Sequence, residues 1–182
     1  MSPEHCVISL APSLTDGVGA NSPVNRGRFA NSSYDRLRIL EKYRRIAMVG
    51  LSSNPFRPSH FAAIYLMSEG YEVVPVNPRE SEVLGLKSYG SLRDIPGGTE
   101  VVDIFREPAA VPEIVEDAIA IGAKVVWMQL GVIHEEAAER ARAAGLEVVM
   151  DRCMKIEHAR FFGGLNTIGM NTAVISARRR AR

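Results

Sequence analysis

The fold is indicated most clearly by residues 45–59, which read RIAMVGLSSNPFRPS. An apolar run that starts at Arg45 ends at Gly50, and a short polar loop follows it. A stretch of helical composition then begins at Ser59, a residue type that is favourable as a helix N-cap. An apolar run, a glycine and a helix start come in this order at the beginning of a βαβ unit. The stretch therefore predicts a buried strand whose loop leads to a helix N-terminus.

The same alternation continues outward to about residue 150. Helical patterns at 112–121 and 135–144 are each followed by glycine, whereas the crossover over 77–98 is irregular. Further Val-rich apolar runs predict strands at residues 71–76, 101–105, 124–129 and 146–150. Near-continuous apolar strands that alternate with helices are typical of a parallel sheet covered on both faces. We therefore predict an α/β fold, a single Rossmann-like domain with an open parallel sheet of about five strands, helices on both faces and right-handed crossovers.

Composition sets the expected boundaries of this domain. Residues 1–31 are rich in Pro, Gly, Ser and Asn and have no lasting period, so we expect a flexible N-terminal extension. A short helix over 32–43 leads into the domain, which we place at 32–175. Residues 176–182 are expected to form a basic C-terminal tail.

Net charge and cysteine content argue against several classes of protein. The 182 residues carry 22 Lys and Arg against 21 Asp and Glu, a net charge of +1, which argues against a nucleic-acid binder. Two cysteines cannot form a disulfide framework, and with four histidines they show no zinc-ligand spacing, so no metal site is expected. No apolar run reaches the roughly 20 residues of a membrane span, and the N-terminus has no signal-peptide pattern. We expect a cytoplasmic protein without membrane contact.

Ligands of open α/β sheets bind outside the carboxyl ends of the strands, and the first such end suits an anion. Gly50 permits a tight turn, Ser52 and Ser53 offer short polar groups, and Arg57 adds a guanidinium beside a helix N-terminus. The loop has neither GxGxxG nor the GK[ST] ending of a P-loop. A plain polar connection that ends in a Ser59 cap explains the same residues equally well.

The end of the second strand carries Asn77, Pro78 and Arg79, where NAD-binding folds usually place Asp or Glu. An arginine in place of a carboxylate favours a phosphorylated ribose, as in NADP or coenzyme A. An Asn-Pro turn with an exposed arginine fits these residues about as well.

The third and fourth strands end in residues with two interpretations each. Phe105 could stack on an adenine and Arg106 could contact phosphate, but a core phenylalanine and a solvated arginine are the commoner arrangement. Gln129 and Gly131 follow the fourth strand, where the glycine would allow close approach of a ligand or simply form a turn.

Several segments in sequence order resemble the CoA-binding domain family, in particular the small stand-alone CoA-binding proteins of bacteria and archaea. The chain is also similar to the CoA-binding domain of the succinyl-CoA synthetase α subunit, and the resemblance runs from about residue 43 to 154. The segments are IAMVGLS (46–52), VPVNP (74–78), LGLKSYGSL (84–92), DIFR (103–106), WMQLGV (127–132) and DRCM (151–154).

The resemblance implies a Rossmann-like domain that holds coenzyme A along the carboxyl edge of the sheet. By position, the residues it implies at the phosphates are Gly50, Leu51, Ser52, Ser53 and Arg57, with the helix start at Ser59. Those implied beside the adenosine are Asn77, Pro78 and Arg79, and those implied in the rest of the groove are Phe105, Arg106, Gln129 and Gly131. The synthetase carries its phosphorylated histidine in a second domain, for which the 28 residues after Met154 are too few. We therefore expect no ligase activity from this chain alone and name no catalytic residue.

We predict a module that binds coenzyme A or an acyl-CoA in a binding or regulatory role. The alternatives are an NADP-dependent oxidoreductase and an acyl-CoA-handling enzyme subunit that needs a partner. A homodimer, or a complex with an unknown protein, would suit so small a domain.

A cluster of reactive residue types follows the fifth strand. Asp151, Cys153, Glu157 and His158 could form a Cys–His–acid set, but sequence proximity does not establish geometry, and we favour a structural role. A mixed disulfide between Cys153 and the thiol of coenzyme A is a separate hypothesis.

Overall fold

The computed structural model describes residues 32–163, so the expected N-terminal extension at 1–31 and the basic tail at 176–182 lie outside the described residues. Two short 3-10 turns lie at Leu92–Asp94 and Pro108–Ala110. The strands are β1 (Arg45–Val49), β2 (Glu72–Val76), β3 (Glu82–Val83), β4 (Leu86–Lys87), β5 (Val101–Ile104), β6 (Val125–Met128) and β7 (Glu147–Val149). The helices are α1 (Ser33–Lys42), α2 (Pro58–Ser68), α3 (Val111–Ala120), α4 (Glu135–Ala143) and α5 (Met154–Phe162).

Five of these strands form one parallel sheet in the order β2-β1-β5-β6-β7. Two apolar clusters cover it. Leu66 of α2 and Met154 of α5 pack with Trp127 on one face, whereas Val115 of α3 and Ala138 of α4 belong to the cluster on the other. The predicted α/β class, the five parallel strands and the helices on both faces are therefore confirmed. Within the described residues, no helix is long and apolar enough to cross a membrane.

The irregular crossover between β2 and β5 consists of short elements rather than a helix of several turns. β3 and β4 pair as an antiparallel hairpin whose turn is Leu84-Gly85, and both residues have positive φ values of 56° and 75°. Positive φ at both central positions is typical of the tight turns that close two-residue hairpins. A 3-10 turn at Leu92–Asp94 follows, capped by the Ser91 side chain.

Two details differ from the sequence predictions. The N-cap of α2 is Arg57, and Ser59 lies inside the first turn, so the prediction of a Ser59 cap is wrong. Pro58 takes the first helical position because its fixed φ suits the helix and its missing N–H costs nothing there. The second difference is α5, for which the sequence pattern predicts no element.

A buried ion pair fastens α5 to α1. The Nε of Arg36 lies 2.8 Å from a carboxylate oxygen of Glu157, and both side chains are almost completely buried. Because two charges taken out of water require close mutual pairing, this contact fixes how the two helices lie against each other. It also sets the direction in which the first turn of α5 faces the carboxyl edge of the sheet.

Candidate functional site

A cleft of about 780 Å³ opens at the carboxyl edge of the sheet. The chain leaves β1 through α2 on one face and leaves β5 through α3 on the other, so the adjacent strands β1 and β5 form the point where the topology switches. Crevices at such switch points are the general ligand sites of open α/β sheets. The strand order alone therefore locates a ligand site at this edge.

Nine of the thirteen site residues predicted from sequence line this cleft, although the strands that carry them are far apart in the chain. They are Gly50, Ser52, Arg57, Ser59, Asn77, Arg79, Phe105, Arg106 and Gln129.

The other four predicted residues do not line the cleft. Leu51 is fully buried in the core, since its side chain fills the space beneath α2. Ser53 is exposed, and its N–H donates to the Glu80 carboxylate. Pro78 lines a smaller neighbouring cavity, and the N–H of Gly131 donates to Asp151 at 2.8 Å. Sequence position locates loops at the edge but does not tell which of their residues turn inward.

Gly50 is required by the close approach of two strand ends. Its φ is +88°, and a Cβ built on it would lie 2.8 Å from the carbonyl oxygen of Phe105 and 2.9 Å from Cδ of Arg106. A residue with a side chain would meet both a strained backbone conformation and a clash with rigid main chain. The β1 and β5 loops can therefore lie side by side only with glycine here.

Hydrogen bonds within the loop after β1 hold its shape. The hydroxyl of Ser52 accepts from the N–H of Asn54, whose side-chain oxygen accepts from the N–H of Phe56 at 2.9 Å. The Ser59 hydroxyl accepts from the N–H of Ser52 instead of capping α2, and Arg57 makes no side-chain cap either. At the start of α2 the N–H of His60 already donates to the carbonyl of Arg57, and Pro58 has no N–H. Among the described residues this leaves the N–H of Ser59 to an external acceptor, for which an anion is the best match.

Asn77 ties the end of β2 to the same loop. Its side-chain amide donates to the carbonyl of Leu51 at 2.9 Å, and its side-chain oxygen accepts from the N–H of Arg79 at 3.0 Å. The Glu80 carboxylate accepts from the N–H of Ser53, also at 3.0 Å. These bonds show that Asn77 and Glu80 position the loop, besides facing the cleft.

Basic side chains outnumber acidic ones in the cleft. The acidic ones are Glu80, already bonded to the loop, and Glu107. The basic ones are Arg57, Arg79, Arg106 and Lys155, and none of them has an ion-pair partner within residues 32–163. A concave surface with unpaired cations beside a helix N-terminus is suited to a phosphate-bearing ligand.

A buried carboxyl group, that of Asp103, is hydrogen-bonded to the cleft residue Gln129. The amide nitrogen of Gln129 donates to Oδ1 of Asp103 at 2.7 Å, while Oδ2 of Asp103 has no hydrogen-bond partner. Burial raises the pKa of Asp103 to about 7, and the hydrogen bond from Gln129 opposes part of that rise. Asp103 therefore holds its proton through much of the range below neutral pH.

A second, smaller cavity of about 240 Å³ adjoins the cleft on the α3 face of the sheet. Both cavities are lined by Gly50 and Arg106, so they meet at the switch point. Pro78 and Ser91 form part of the smaller cavity, beside the end of β2. A ligand that occupied both would have to be long, with its middle at Gly50 and Arg106.

Residues 44–159 match the model of a protein family described as the CoA binding domain. The chain belongs to this family. The resemblance drawn from the sequence motifs between about residues 43 and 154 is thereby confirmed.

Relatives of the CoA-binding domain include both small proteins and parts of larger enzymes. An uncharacterized protein of Bacillus subtilis, YneT, is 40% identical over 121 residues, which are 66% of this chain and 90% of that protein. A hypothetical protein from Pyrococcus horikoshii has a solved structure with 47% identity and a TM-score of 0.70, covering 71% of this chain and 91% of that one. The ADP-forming acetate–CoA ligase II of Archaeoglobus fulgidus is 29% identical over 136 residues, 72% of this chain but only 20% of the ligase.

Ten residues that line the cleft are not among the site residues predicted from sequence. Lys155 and Ile156 lie on α5, which is not among the helices predicted from sequence, and Cys153 is named from sequence only in the separate disulfide hypothesis. The others lie within three positions of a predicted site residue. The cleft residues absent from the predicted set are Pro58, Phe61, Ala62, Glu80, Glu107, Leu130, Val132, Cys153, Lys155 and Ile156. An apolar helical pattern over 154–162 was the available signal for the two on α5.

The Cys–His–acid set suggested by sequence has no catalytic geometry in the CoA-binding domain. His158 bonds to the hydroxyl of Tyr65 at 3.0 Å, Glu157 pairs with Arg36, and Asp151 accepts from a backbone N–H. Burial raises the pKa of the Cys153 thiol, so this thiol is less nucleophilic at neutral pH than a free cysteine. The structural role favoured from sequence agrees with these separate partners. Residues 32–163 also contain no group of His, Cys, Asp and Glu arranged to hold a metal ion.

Proposed function

We propose that this protein binds coenzyme A or an acyl-CoA across the carboxyl edge of its sheet, as a non-catalytic binding or regulatory module. The observation that carries the proposal is the meeting of two unequal cavities at Gly50 and Arg106, beside the uncapped start of α2. Coenzyme A has a pyrophosphate between a nucleotide and a long pantetheine arm. Its shape therefore matches a long site whose anion-binding part is in the middle.

The pyrophosphate is assigned to the loop between Gly50 and Arg57. The N–H of Ser59 and the positive end of the α2 dipole favour negative charge. Arg57 and Arg106 supply cations without ion-pair partners within residues 32–163. Charge-assisted hydrogen bonds of this kind are stronger than neutral ones, so most of the binding energy should come from this segment.

The two ends of the ligand are assigned by the residues that would flank them, of which Asn77 and Arg79 line the cleft and Pro78 lines the smaller cavity. Asn77, Pro78 and Arg79 would flank the adenosine part, with Arg79 available to a ribose phosphate. The larger cleft extends past Phe61 and Val132 to the start of α5, which suits a flexible arm that is partly apolar. The thiol or acyl end would then lie near Cys153.

A binding role is favoured over catalysis because the Cys153 thiol, which lines the cleft, has a pKa raised by burial and no side-chain base bonded to it within the described residues. No specific observation favours NADP-dependent hydride transfer. A partner-dependent acyl-CoA-handling subunit is kept as the second candidate, because ligases such as that of Archaeoglobus fulgidus include a related segment. A cytoplasmic location, and a homodimer or a protein partner, belong to the same proposal.

Isothermal titration calorimetry of the full chain with CoA, acetyl-CoA, NADP and NAD tests the proposal. We expect stoichiometric binding of CoA or acetyl-CoA and at least a tenfold loss of affinity in Arg57→Ala and in Arg106→Ala. Arg140→Ala is the matched control, since Arg140 is an exposed arginine on α4 that does not line the cleft. Binding of NADP without CoA, or equal losses in all three variants, would contradict the proposal.

A further inference from the structure

The outward face of α2 is apolar where a surface helix is normally polar. Phe61, Ile64 and Met67 follow one another at intervals of three residues, and all three are exposed. Phe56, just before the helix, is 89% exposed. Residues three apart lie on one side of a helix, so Phe61, Ile64 and Met67 form an apolar stripe, called here the α2 stripe.

The opposite face of α2 is already used by the core. Ala62, Ala63 and Leu66 are buried against the sheet, so the helix is apolar on both its inner and its outer face. A helix that is apolar all round is normally covered on every side. The α2 stripe therefore has the composition of a contact surface.

Charge at the two ends of α2 indicates what covers it. From residue 58 to residue 68 the helix has no Asp, Glu, Lys or Arg, and it is bounded by Arg57 at its start and Glu69 at its end. A second copy of α2 laid antiparallel would bring Arg57 of one chain to the end that carries Glu69 of the other, at both ends of the contact. A second helix laid parallel to α2, or one with a different charge pattern, would not pair opposite charges at both ends.

We infer that the α2 stripe is the contact between two copies of this chain, related by a two-fold axis that passes near Ile64. Such an isologous interface uses the same surface on both subunits, and a stripe centred on one residue with opposite charges at its ends is self-complementary. The inference shares Arg57 with the proposed phosphate site, so a bound anion and Glu69 of the other copy would both lie near this guanidinium, whereas the α2 stripe itself is independent of the ligand.

The exposed apolar area is sufficient for a reversible dimer. With about 200 Å² available per large apolar side chain, the α2 stripe and Phe56 expose on the order of 400 Å² in each copy. Two copies would bury about 800 Å² of apolar surface, and the polar rim brings the contact near the lower limit of about 1,200 Å² for stable interfaces. We therefore expect a weak, reversible dimer at the low end of the range of interface sizes.

The interface borders the ligand cleft. Phe61 belongs both to the α2 stripe and to the lining of the cleft. A second copy on the stripe would therefore lie at the mouth of the cleft without filling it.

Sedimentation velocity of the full chain between about 1 and about 300 µM tests the inference. We expect a monomer–dimer equilibrium that Ile64→Glu abolishes, with at least a thirtyfold rise in Kd. Ile133→Glu is the matched control, because Ile133 is as exposed as Ile64, at 49% against 48%, and lies before α4. Circular dichroism of both variants checks that they fold.

A second measurement keeps the test independent of the glutamate variant. The thiols introduced by Ile64→Cys should cross-link to each other under mild oxidation, because the residue lies near the two-fold axis, whereas those of Ile133→Cys should not. A chain that stays monomeric at the highest concentration overturns the inference. So does a dimer that persists in Ile64→Glu, or a monomer in which cross-linking attaches another segment of the same chain to the stripe.

Discussion

Replacing Asp103 by asparagine should change how the stability of the protein depends on pH. Asp103 is fully buried, its Oδ2 has no hydrogen-bond partner, and burial raises the pKa of its carboxyl from 3.8 to about 7. In Asp103→Asn the side-chain oxygen can still accept from Gln129, but nothing at position 103 can ionise. The variant therefore separates the cost of a buried charge from the rest of the site.

The magnitude follows from the raised pKa. Between pH 3.8 and about pH 7 the folded protein binds this proton more tightly than the unfolded chain, so the free energy of unfolding falls as the pH rises. Each pH unit in this window costs about 1.4 kcal/mol, which gives at most about 4 kcal/mol over the whole window. Below the unfolded pKa both states are protonated, and above about pH 7 both are ionised, so the difference then stays constant. From pH 5 to pH 8.5 the wild type should lose about 3 kcal/mol that Asp103→Asn keeps.

Urea unfolding at pH 5.0 and pH 8.5 measures this difference, with the fluorescence of Trp127 as the probe. Trp127 is the one tryptophan of the sequence, it is fully buried, and it pairs with Asp103 across β5 and β6. The constant effect of the new amide cancels when the two pH values are compared. Glu139→Gln, an exposed carboxylate on α4, is the control and should follow the wild type. Parallel pH dependences of Asp103→Asn and the wild type would refute the argument that this carboxyl is buried at a cost.

Three further predictions concern the site and its supports. Gly50→Ala should abolish CoA binding and lower the unfolding free energy by about 1–3 kcal/mol, because the new Cβ would clash with the carbonyl of Phe105. Calorimetry measures the affinity and urea unfolding measures the stability. An unchanged affinity would refute the clash. Arg36→Ala should lower the unfolding free energy by up to about 3 kcal/mol, because Glu157 loses its nearer buried partner and keeps only Arg160 at 3.4 Å. Changing Arg36 to Met and Glu157 to Leu together should recover part of this loss in urea unfolding, and equal losses in the single and double variants would contradict the pairing argument. Incubation with CoA disulfide should add one CoA to Cys153, with the attacking thiolate forming the mixed disulfide and the second CoA thiol leaving. The reaction should be slow at pH 7 and faster at higher pH because the pKa of the thiol is raised; mass spectrometry that finds no adduct at Cys153 would end the hypothesis.

Strand positions and the edge that carries the site could be predicted because they depend on local patterns. Buried parallel strands need continuous apolar runs, and parallel strands bring their carboxyl ends to one edge, so Gly50, Arg106 and Gln129 meet there whatever the details of packing. The direction of individual side chains depends on long-range contacts instead. Leu51 turns into the core beneath α2, and Gly131 is held by Asp151 twenty residues later in the chain.

Neither the helix α5 nor the burial of the Asp103 carboxyl could be predicted from the sequence pattern. The N-cap of α5 is Cys153, whose side chain forms no capping hydrogen bond. The sequence therefore has no N-cap signal that would predict the start of this helix. A carboxylate within a buried strand contradicts the usual pattern, and only the structure shows that Gln129 from the neighbouring strand partners one of its oxygens. Both features depend on contacts between residues far apart in the chain, which a single sequence does not display.

The polar residues around the cleft divide into those that shape it and those that are free to bind. The side chains of Asn77 and Ser59 form hydrogen bonds with the backbone of the loop after β1. Those of Arg57 and Arg106 have no ion-pair partners within residues 32–163. Loss of an arginine should therefore weaken the ligand contact alone and leave the unfolding free energy nearly unchanged. Loss of the Asn77 amide should lower both, because the loop must then be ordered by the ligand itself. The hydrogen bond from Asn77 to the carbonyl of Leu51 therefore contributes to ligand affinity without touching the ligand, because it orders the loop before binding.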